Sequence, residues 1–416
     1  MHFCEVTFLN ENQIQLGIFV TFDAHNFKGM KKIQMVDLQG QYDGIKHQVN
    51  TSFASVLDSA AFINGPEVKK FQKELEAYLS IKHVIPCANG TDALQICMMG
   101  LGLEPGDEVI TTDFTFAATV EVIALLGLTP VLVDVEGDTF NINTDAVEKA
   151  ITPKTKAIVP VHLFGQCANM DAILEVAKKH DLYVIEDNAQ AIGATHTFKD
   201  GIKMKAGTMG HVSATSFFPS KNLGCYGDGG AIFTNDDDLA QTIRGIVNHG
   251  MYKRYHHDVV GVNSRLDSLQ AAVLRAKLPK LDEYNAKRRE AARKYSKAFA
   301  NQPLIKVPLT VNGCGGICDT CDCHVFHQYT LRVPKEKRDK LVEHLNQNGV
   351  PCGVYYPIPL HRQKAYSDSR YIENNFLVTN KLVQEVISLP MHTELDDEQI
   401  NFITKLVIDF VNTSNE

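Results

Sequence analysis

The sequence predicts an α/β fold: a large domain built on a mostly parallel sheet, followed by a smaller α+β C-terminal domain. Three observations carry that reading. From about residue 45 to residue 187, short Val- and Ile-rich runs alternate with helical segments, the signature of βαβ units whose strands are covered on both faces. Nearly every unusual polar cluster follows one of those runs, at the strand ends where open α/β sheets gather ligands. After about residue 275 the pattern changes to a long charged helix and isolated strands. The chain has 416 residues, 44% hydrophobic and 22% charged, which is ample material for such a core.

The elements follow in order. A helix spanning Val68 to Leu79 stops at Ser80. The run His83–Pro86 leads into Asn89-Gly90-Thr91-Asp92 and a helix from Ala93 to Met99. A strand at Glu108–Thr111 precedes a helix from Phe114 to Leu126. Pro130–Val135 is a strand, Asp145–Ala150 a short helix, and Ala157–Val161 a strand followed by a helix from Met170 to Lys179. Tyr183–Glu186 is the next strand. Residues 276–300 form one long, charged, solvated connecting helix. Beyond it lie a strand (Gln328–Val333), a polar helix (Lys335–Gln347) and a helical pattern at Thr379–Val386. The organisation expected is an N-terminal extension at residues 1–35, a large domain at 36–275 and a small domain at 276–416.

Composition excludes several classes. No apolar stretch approaches the ~20 residues that span a bilayer. A net charge of -8 without a basic tract argues against a nucleic-acid partner. The first 29 residues lack a cationic start and a cleavage site, so they do not read as a signal peptide. Met30-Lys31-Lys32-Ile33-Gln34-Met35 reads as a fresh start, with translation expected from Met30 or Met35 and no catalytic role for what precedes it. Ten cysteines, mostly scattered, suit a reducing cytoplasm better than a secreted scaffold. Four of them crowd together as Cys314-x3-Cys318-x2-Cys321-x-Cys323, with His324 and His327 beyond. One tight knot without a second pair is the wrong spacing for a zinc ribbon, and the Gly-rich lead suggests an inserted surface loop, unstructured or redox-prone, with a structural metal as the alternative. No metal is expected.

The chemistry centres on Lys221, in Thr215-Ser216-Phe217-Phe218-Pro219-Ser220-Lys221. A lysine just after an apolar strand acts as an amine nucleophile once its pKa is lowered. Asp187, in Glu186-Asp187-Asn188-Ala189-Gln190, stands at another strand end 34 residues earlier. Enzymes that use pyridoxal 5'-phosphate (PLP) need such a pair: a carboxylate at the ring nitrogen and a lysine for the cofactor's aldehyde. Alone, Asp187 also fits a helix cap and Lys221 a solvated loop. The small residues at Gly90 and Thr91 open a helix start, a ready anion site, and Ser216 offers another hydroxyl. Phe116 is placed to stack on a planar ring or to join the core. A nicotinamide site on Gly100-Leu101-Gly102 fails on context, because a helix precedes these residues and a strand follows.

Taken together, these segments resemble the DegT–StrS sugar aminotransferases, PLP enzymes of the aspartate aminotransferase (type I) fold. The resemblance runs from about Ile33 to the C-terminus. It rests on Asn64-Gly65-Pro66-Glu67-Val68, on Cys87 to Leu94 (CANGTDAL), on Glu186 to Gln190, on Ser216 to Gly230 (SFFPSKNLGCYGDGG) and on Gly261 to Asp267. It implies that Lys221 binds the cofactor aldehyde and that Asp187 partners the ring nitrogen. Gln190 would lie near the ring's phenolic oxygen, and Phe116 would stack on the ring. Gly90, Thr91 and Ser216 would hold the phosphate. Asn263 would reach the phosphate of a neighbouring subunit, which implies a homodimer with active sites at the interface. His162 stands at a pocket position, the alternative being a histidine satisfied within its loop.

The implied reaction is a two-stage transamination with L-glutamate as donor and a keto-sugar on a nucleotide as acceptor. Lys221 would serve as base and then acid. The runs Cys225–Gly230, Arg254-Tyr255-His256-His257 and Asn263-Ser264-Arg265 look most like enzymes that aminate a UDP-linked 3-keto-2-acetamido hexuronic acid for surface polysaccharides such as lipopolysaccharide. Arg254 or Arg265 would pair the sugar carboxylate and His256 and His257 would approach the diphosphate, with Arg265 at the subunit interface as the alternative. Tyr355 stands where the family usually has His, and this opens the substrate to dTDP-linked 3-keto or 4-keto 6-deoxysugars. A dehydratase-like enzyme is a further alternative, disfavoured by a lysine at 221 where those relatives carry His.

Overall fold

The computed structural model of the chain describes residues 31–309 and 322–413. Residues 1–30 of the extension expected at 1–35, and three of the clustered cysteines, Cys314, Cys318 and Cys321, lie outside them. From Ile33 onward the chain packs as one unit. Ile33 is buried, and the Met35 carbonyl accepts from the Met391 N–H at 3.2 Å. Packing thus begins two residues before the expected boundary at 35.

Three helices open the described chain: α1 (Leu38–Asp43), α2 (Lys46–Ser59) and α3 (Pro66–Leu79). In α3, Pro66 occupies the first turn, where its missing N–H costs nothing. Val68, Phe71, Leu75 and Leu79 form its buried stripe, and Ser80 ends it in the left-handed region at φ 56°. The alternating section then unfolds as β1 (His83–Cys87), α4 (Gly90–Gly100), β2 (Glu108–Thr112), α5 (Ala118–Leu125), β3 (Thr129–Val133), α6 (Thr144–Ala150), β4 (Thr155–Val159), α7 (Met170–His180) and β5 (Tyr183–Asp187). A small hairpin, β6 (Thr195–Thr197) and β7 (Lys203–Lys205), precedes β8 (Val212–Ser216), β9 (Gly230–Thr234) and α8 (Asp237–Ile246). A second hairpin, β10 (Met251–Lys253) and β11 (His256–His257), leads to α9 (Ser268–Lys277).

The central sheet has seven strands in the order β1-β9-β8-β5-β4-β2-β3. All neighbours pair in parallel except β9, which runs against β1 and β8. The parallel direction brings Cys87, Thr112, Val159, Asp187 and Ser216, each the last residue of its strand, to one edge. Successive residues feed opposite faces, as the period of 2 requires. Ile85, Val109, Val159, Ile185 and Ile232 pack against Leu94, Met98 and Ile243 on one side. On the other, Ile110, Ile158 and Val184 meet Met170, Ile173 and Val147, while Val84, Ala231 and Phe233 meet Phe71, Leu75 and Leu274.

The remainder comprises α10 (Leu281–Phe299), β12 (Tyr329–Arg332), α11 (Lys335–Gln347), α12 (Leu377–Glu385), β13 (Val386–Leu389) and α13 (Asp397–Asn412), with β12 and β13 antiparallel. The single helix expected at 276–300 is two, parted by a 3-10 turn at Leu278–Lys280 that contains Pro279. Nor is α10 a purely solvated connector: Leu281, Tyr284, Arg288, Ala291, Ala292, Tyr295 and Phe299 form a buried stripe, and the charges occupy the other side. The helix expected from Phe114 begins only at Ala118. The Asp113 carbonyl and carboxylate are taken by the Leu360 and His361 N–H groups, which holds residues 113–117 as a loop. Among the described residues no helix is long and apolar enough to cross a membrane.

Candidate active site

The strand ends and their loops enclose a cleft of ≈ 660 Å³. Eight of the residues singled out in the sequence line it: Gly90, Thr91, Phe116, Asp187, Gln190, Ser216, Lys221 and Tyr355.

At one end, α4 begins. Asn89 caps it, its Oδ1 accepting from the Asp92 N–H at 2.7 Å and its carbonyl from the Ala93 N–H at 3.1 Å. The Gly90 and Thr91 N–H groups have no intrahelical partner and border the cleft. A Cβ at Gly90 would lie 2.7 Å from Ser216 Cβ, so only glycine lets the helix start approach the end of β8. The resulting notch, lined by N–H groups and hydroxyls, fits a phosphate.

Asp187 is 5% exposed. Its Oδ2 accepts from Thr119 Oγ1 at 2.8 Å and its Oδ1 from the Ala189 N–H at 3.1 Å. Burial pushes its pKa up, and the two hydrogen bonds, Lys221 and His162 oppose that rise. Lys221 follows a turn in which its N–H donates to the Phe218 carbonyl at 2.8 Å. Burial brings its pKa down to about 8, against the opposing pull of Asp187. The pair therefore joins an amine that loses its proton readily to a carboxylate that awaits a cationic partner. Phe116 presents a 58% exposed ring beside Tyr356, centroids 6.3 Å apart. Gln190 accepts from the Phe164 N–H at 2.7 Å and donates to the Tyr356 hydroxyl at 3.3 Å. An anion notch, a buried carboxylate, an exposed aromatic plate and a depressed lysine thus share one cleft of cofactor size, and these residues fit PLP.

The remaining candidate residues do not line this cleft. His162 does not reach the cleft: it is 0% exposed, its Nδ1 accepts from the Ala168 N–H at 3.1 Å, and its Nε2 pairs with Glu186 at 2.8 Å. Glu186 also takes the Gly207, Met209 and Gly210 N–H groups. His162 is the satisfied loop histidine. Arg254, His256 and His257 lie on the exposed β10–β11 hairpin, outside the cleft of their own chain. Arg254 stacks on Tyr255 at 5.0 Å, and His257 bonds the His249 carbonyl at 2.8 Å. Arg265, half-buried, and Asn263, exposed, also lie outside it.

Several lining residues are not marked as site residues by the sequence: Thr115, Thr119, Asp228, His327, Gln328 and Tyr356. His327 follows the cysteine cluster in sequence; burial and the charges of Lys221 and Arg288 hold its imidazole well below the usual histidine range. Its neighbour His324 stacks on Phe326, centroids 3.8 Å apart. Among the described residues no group of three His, Cys, Asp or Glu side chains is placed to hold a metal ion. Thr119 was legible in principle, since it lies one turn beyond Phe116.

The chain matches the model of the DegT/DnrJ/EryC1/StrS aminotransferase family over residues 43–407. It is 45% identical to a pleiotropic regulatory protein of Geobacillus stearothermophilus over 91% of this chain and 98% of the relative. To the UDP-2-acetamido-2-deoxy-3-oxo-D-glucuronate aminotransferase of Pseudomonas aeruginosa it is also 45% identical, over 89% of this chain and 98% of the relative. Among solved structures it is similar to Streptomyces venezuelae DesV in complex with a ketimine intermediate. The TM-score is 0.86 at 37% identity, covering 93% of this chain and 100% of that one.

Proposed function

The chain belongs to the DegT/DnrJ/EryC1/StrS aminotransferase family, whose enzymes work with PLP, and from that premise we propose that it aminates a UDP-linked 3-keto-2-acetamido hexuronic acid with L-glutamate as donor. The observation that carries the proposal is the convergence of Lys221 and Asp187 in one cleft with the Gly90–Ser216 notch. When bound, PLP supplies an aldehyde that amines add to and a ring that accepts the electron pair released at the substrate carbon.

The chain's own residues do the rest. Gly90, Thr91 and Ser216 would hold the phosphate. Asp187, steadied by Thr119, would keep a proton on the ring nitrogen. Phe116 would stack on the ring and Gln190 would lie near its phenolic oxygen. Lys221, with its pKa near 8, would move a proton between the substrate carbon and the cofactor carbon, as base and then as acid. L-glutamate leaves as 2-oxoglutarate and the keto sugar leaves as the amine.

Asn263 and the β10–β11 hairpin do not line the cleft of their own chain. We assign them to the site of a second copy in a homodimer, where Arg254 and the histidines would meet the sugar carboxylate and the diphosphate. Among the described residues Cys87, Cys97, Cys167, Cys225 and Cys352 are free thiols, which supports a cytoplasmic setting.

The hexuronate is favoured by the similarity to the Pseudomonas aeruginosa enzyme. A dTDP-linked keto 6-deoxysugar is the second reading, favoured by a cleft that one chain lines with Phe116, Tyr355 and Tyr356 and with no arginine among its described residues. Offering both acceptors with L-glutamate, and comparing kcat/KM by mass-detected amine formation, separates them. A preference for the hexuronate of tenfold or more is expected; a preference for the deoxysugar overturns the assignment.

A further inference from the structure

Lys277, the last residue of α9, is 0% exposed. Its Nζ donates to the Gly224 carbonyl at 2.7 Å and lies 4.6 Å from the centroid of the Tyr226 ring. Among the described residues no carboxylate pairs with it. A buried ammonium held only by one carbonyl and one ring face is a poor stability device, because a methionine of similar volume fills the space without desolvating a charge. Both of these contacts fall on the loop that carries Lys221.

The mechanical path is short. Gly224 folds back on the turn that presents Lys221: a Cβ there would lie 2.3 Å from the Pro219 carbonyl oxygen and 2.7 Å from that of Phe218. The Phe218 carbonyl in turn accepts the Lys221 N–H at 2.8 Å. Helix α9 also holds Tyr226, two residues on, whose N–H donates to Gln270 Oε1 at 2.8 Å. Asn222 is tied to α10 by Asn285 at 2.7 Å. The backbone on both sides of Gly224 is thus anchored to helices, and Lys277 anchors Gly224 itself.

We propose that Lys277 is a positioning residue that pins the Gly224 carbonyl and thereby fixes Lys221 against Asp187 in the desolvated part of the cleft. The proposal rests on the amine role assigned to Lys221 above.

The test compares wild type with Lys277→Met in two measurements. The first uses cofactor-free protein: the pKa of the Lys221 amine is read from pH-dependent amine labelling quantified on its peptide by mass spectrometry. A loosened loop lets water reach Lys221, so its pKa should move from about 8 toward the ordinary lysine value of 10.5. The second uses PLP-loaded protein: kcat for the glutamate half-reaction should fall on the order of 10- to 100-fold with little change in KM, the effect of misplacing a reacting group. Lys277→Met should melt at or above the wild-type temperature. If it does not fold, Lys277→Gln, which keeps a neutral donor, carries the same comparison, with a smaller shift expected. A folded variant with wild-type Lys221 pKa and wild-type kcat overturns the proposal. Failure of wild type itself to react with L-glutamate would instead strike the functional reading beneath it.

Discussion

The Thr119 hydroxyl donates to Asp187 Oδ2 at 2.8 Å across the sheet edge, and it stands first among the contacts that oppose the rise in the Asp187 pKa. Thr119→Val keeps the shape and removes the donor. Losing a hydrogen bond to a charged group costs about 1.5–3 kcal/mol, so the Asp187 pKa should rise further and its carboxylate should support a proton on the ring nitrogen less well. We expect the glutamate half-reaction to slow on the order of tenfold while the fold, read by circular dichroism, is unchanged. Stopped-flow absorbance at saturating glutamate checks it; an unchanged rate would show that Thr119 only packs.

Gly90→Ala isolates the phosphate notch. Alanine is well accepted in a helix, so local helix stability should not suffer. The added Cβ would meet Ser216 at 2.7 Å and force apart the two walls that cradle the anion. Equilibrium titration should show PLP affinity reduced by roughly tenfold or more. Wild-type affinity would place the phosphate elsewhere.

The pKa of Lys221 makes a stability prediction for the cofactor-free protein. Folded, the amine gives up its proton near pH 8; unfolded, it keeps it to about 10.5. Between those values the unfolded chain binds more protons, so stability rises with pH through that window, and below about pH 8 the buried ammonium is a full cost. Lys221→Met should therefore stabilise the apoprotein at pH 7 by roughly 1–3 kcal/mol, with the gap closing by about pH 10.5. Urea unfolding of both proteins at pH 7 and pH 10 measures it. A pH-independent gap would mean that the lysine is not desolvated.

Arg288 offers a structural counterpart. Its Nη1 reaches the Phe326, His327 and Met391 carbonyls at 3.2, 3.3 and 3.0 Å, and burial brings its pKa down to about 10. Arg288→Met leaves three buried carbonyls without that donor, and a loss of about 2–4 kcal/mol is expected from thermal or urea unfolding. A change below 0.5 kcal/mol would show that water replaces it.

Much of the site was legible because strand ends collect function. Asp187, Ser216 and Lys221 each follow a Val-, Ile- or Ala-rich run, and α4 announces its start with Asn89 as a cap. What stayed hidden depended on contacts between distant segments. Tyr356 and His327 enter the cleft from the last third of the chain, and nothing local marks them. His162 misled because the Glu186 that satisfies it is 24 residues away. The false helical start at Phe114 has the same cause, since Asp113 is claimed by His361, 248 residues further on. Helix α13, by contrast, carried a readable signal in its Asp396 and Gln399 capping box.

The most direct test of the central claim is the visible spectrum of the PLP-loaded protein before and after L-glutamate is added. The account predicts a band from cofactor bound to Lys221, lost on addition of glutamate as the pyridoxamine form appears, and absent from Lys221→Ala. A protein that shows no such band, or keeps it unchanged in excess glutamate, contradicts it.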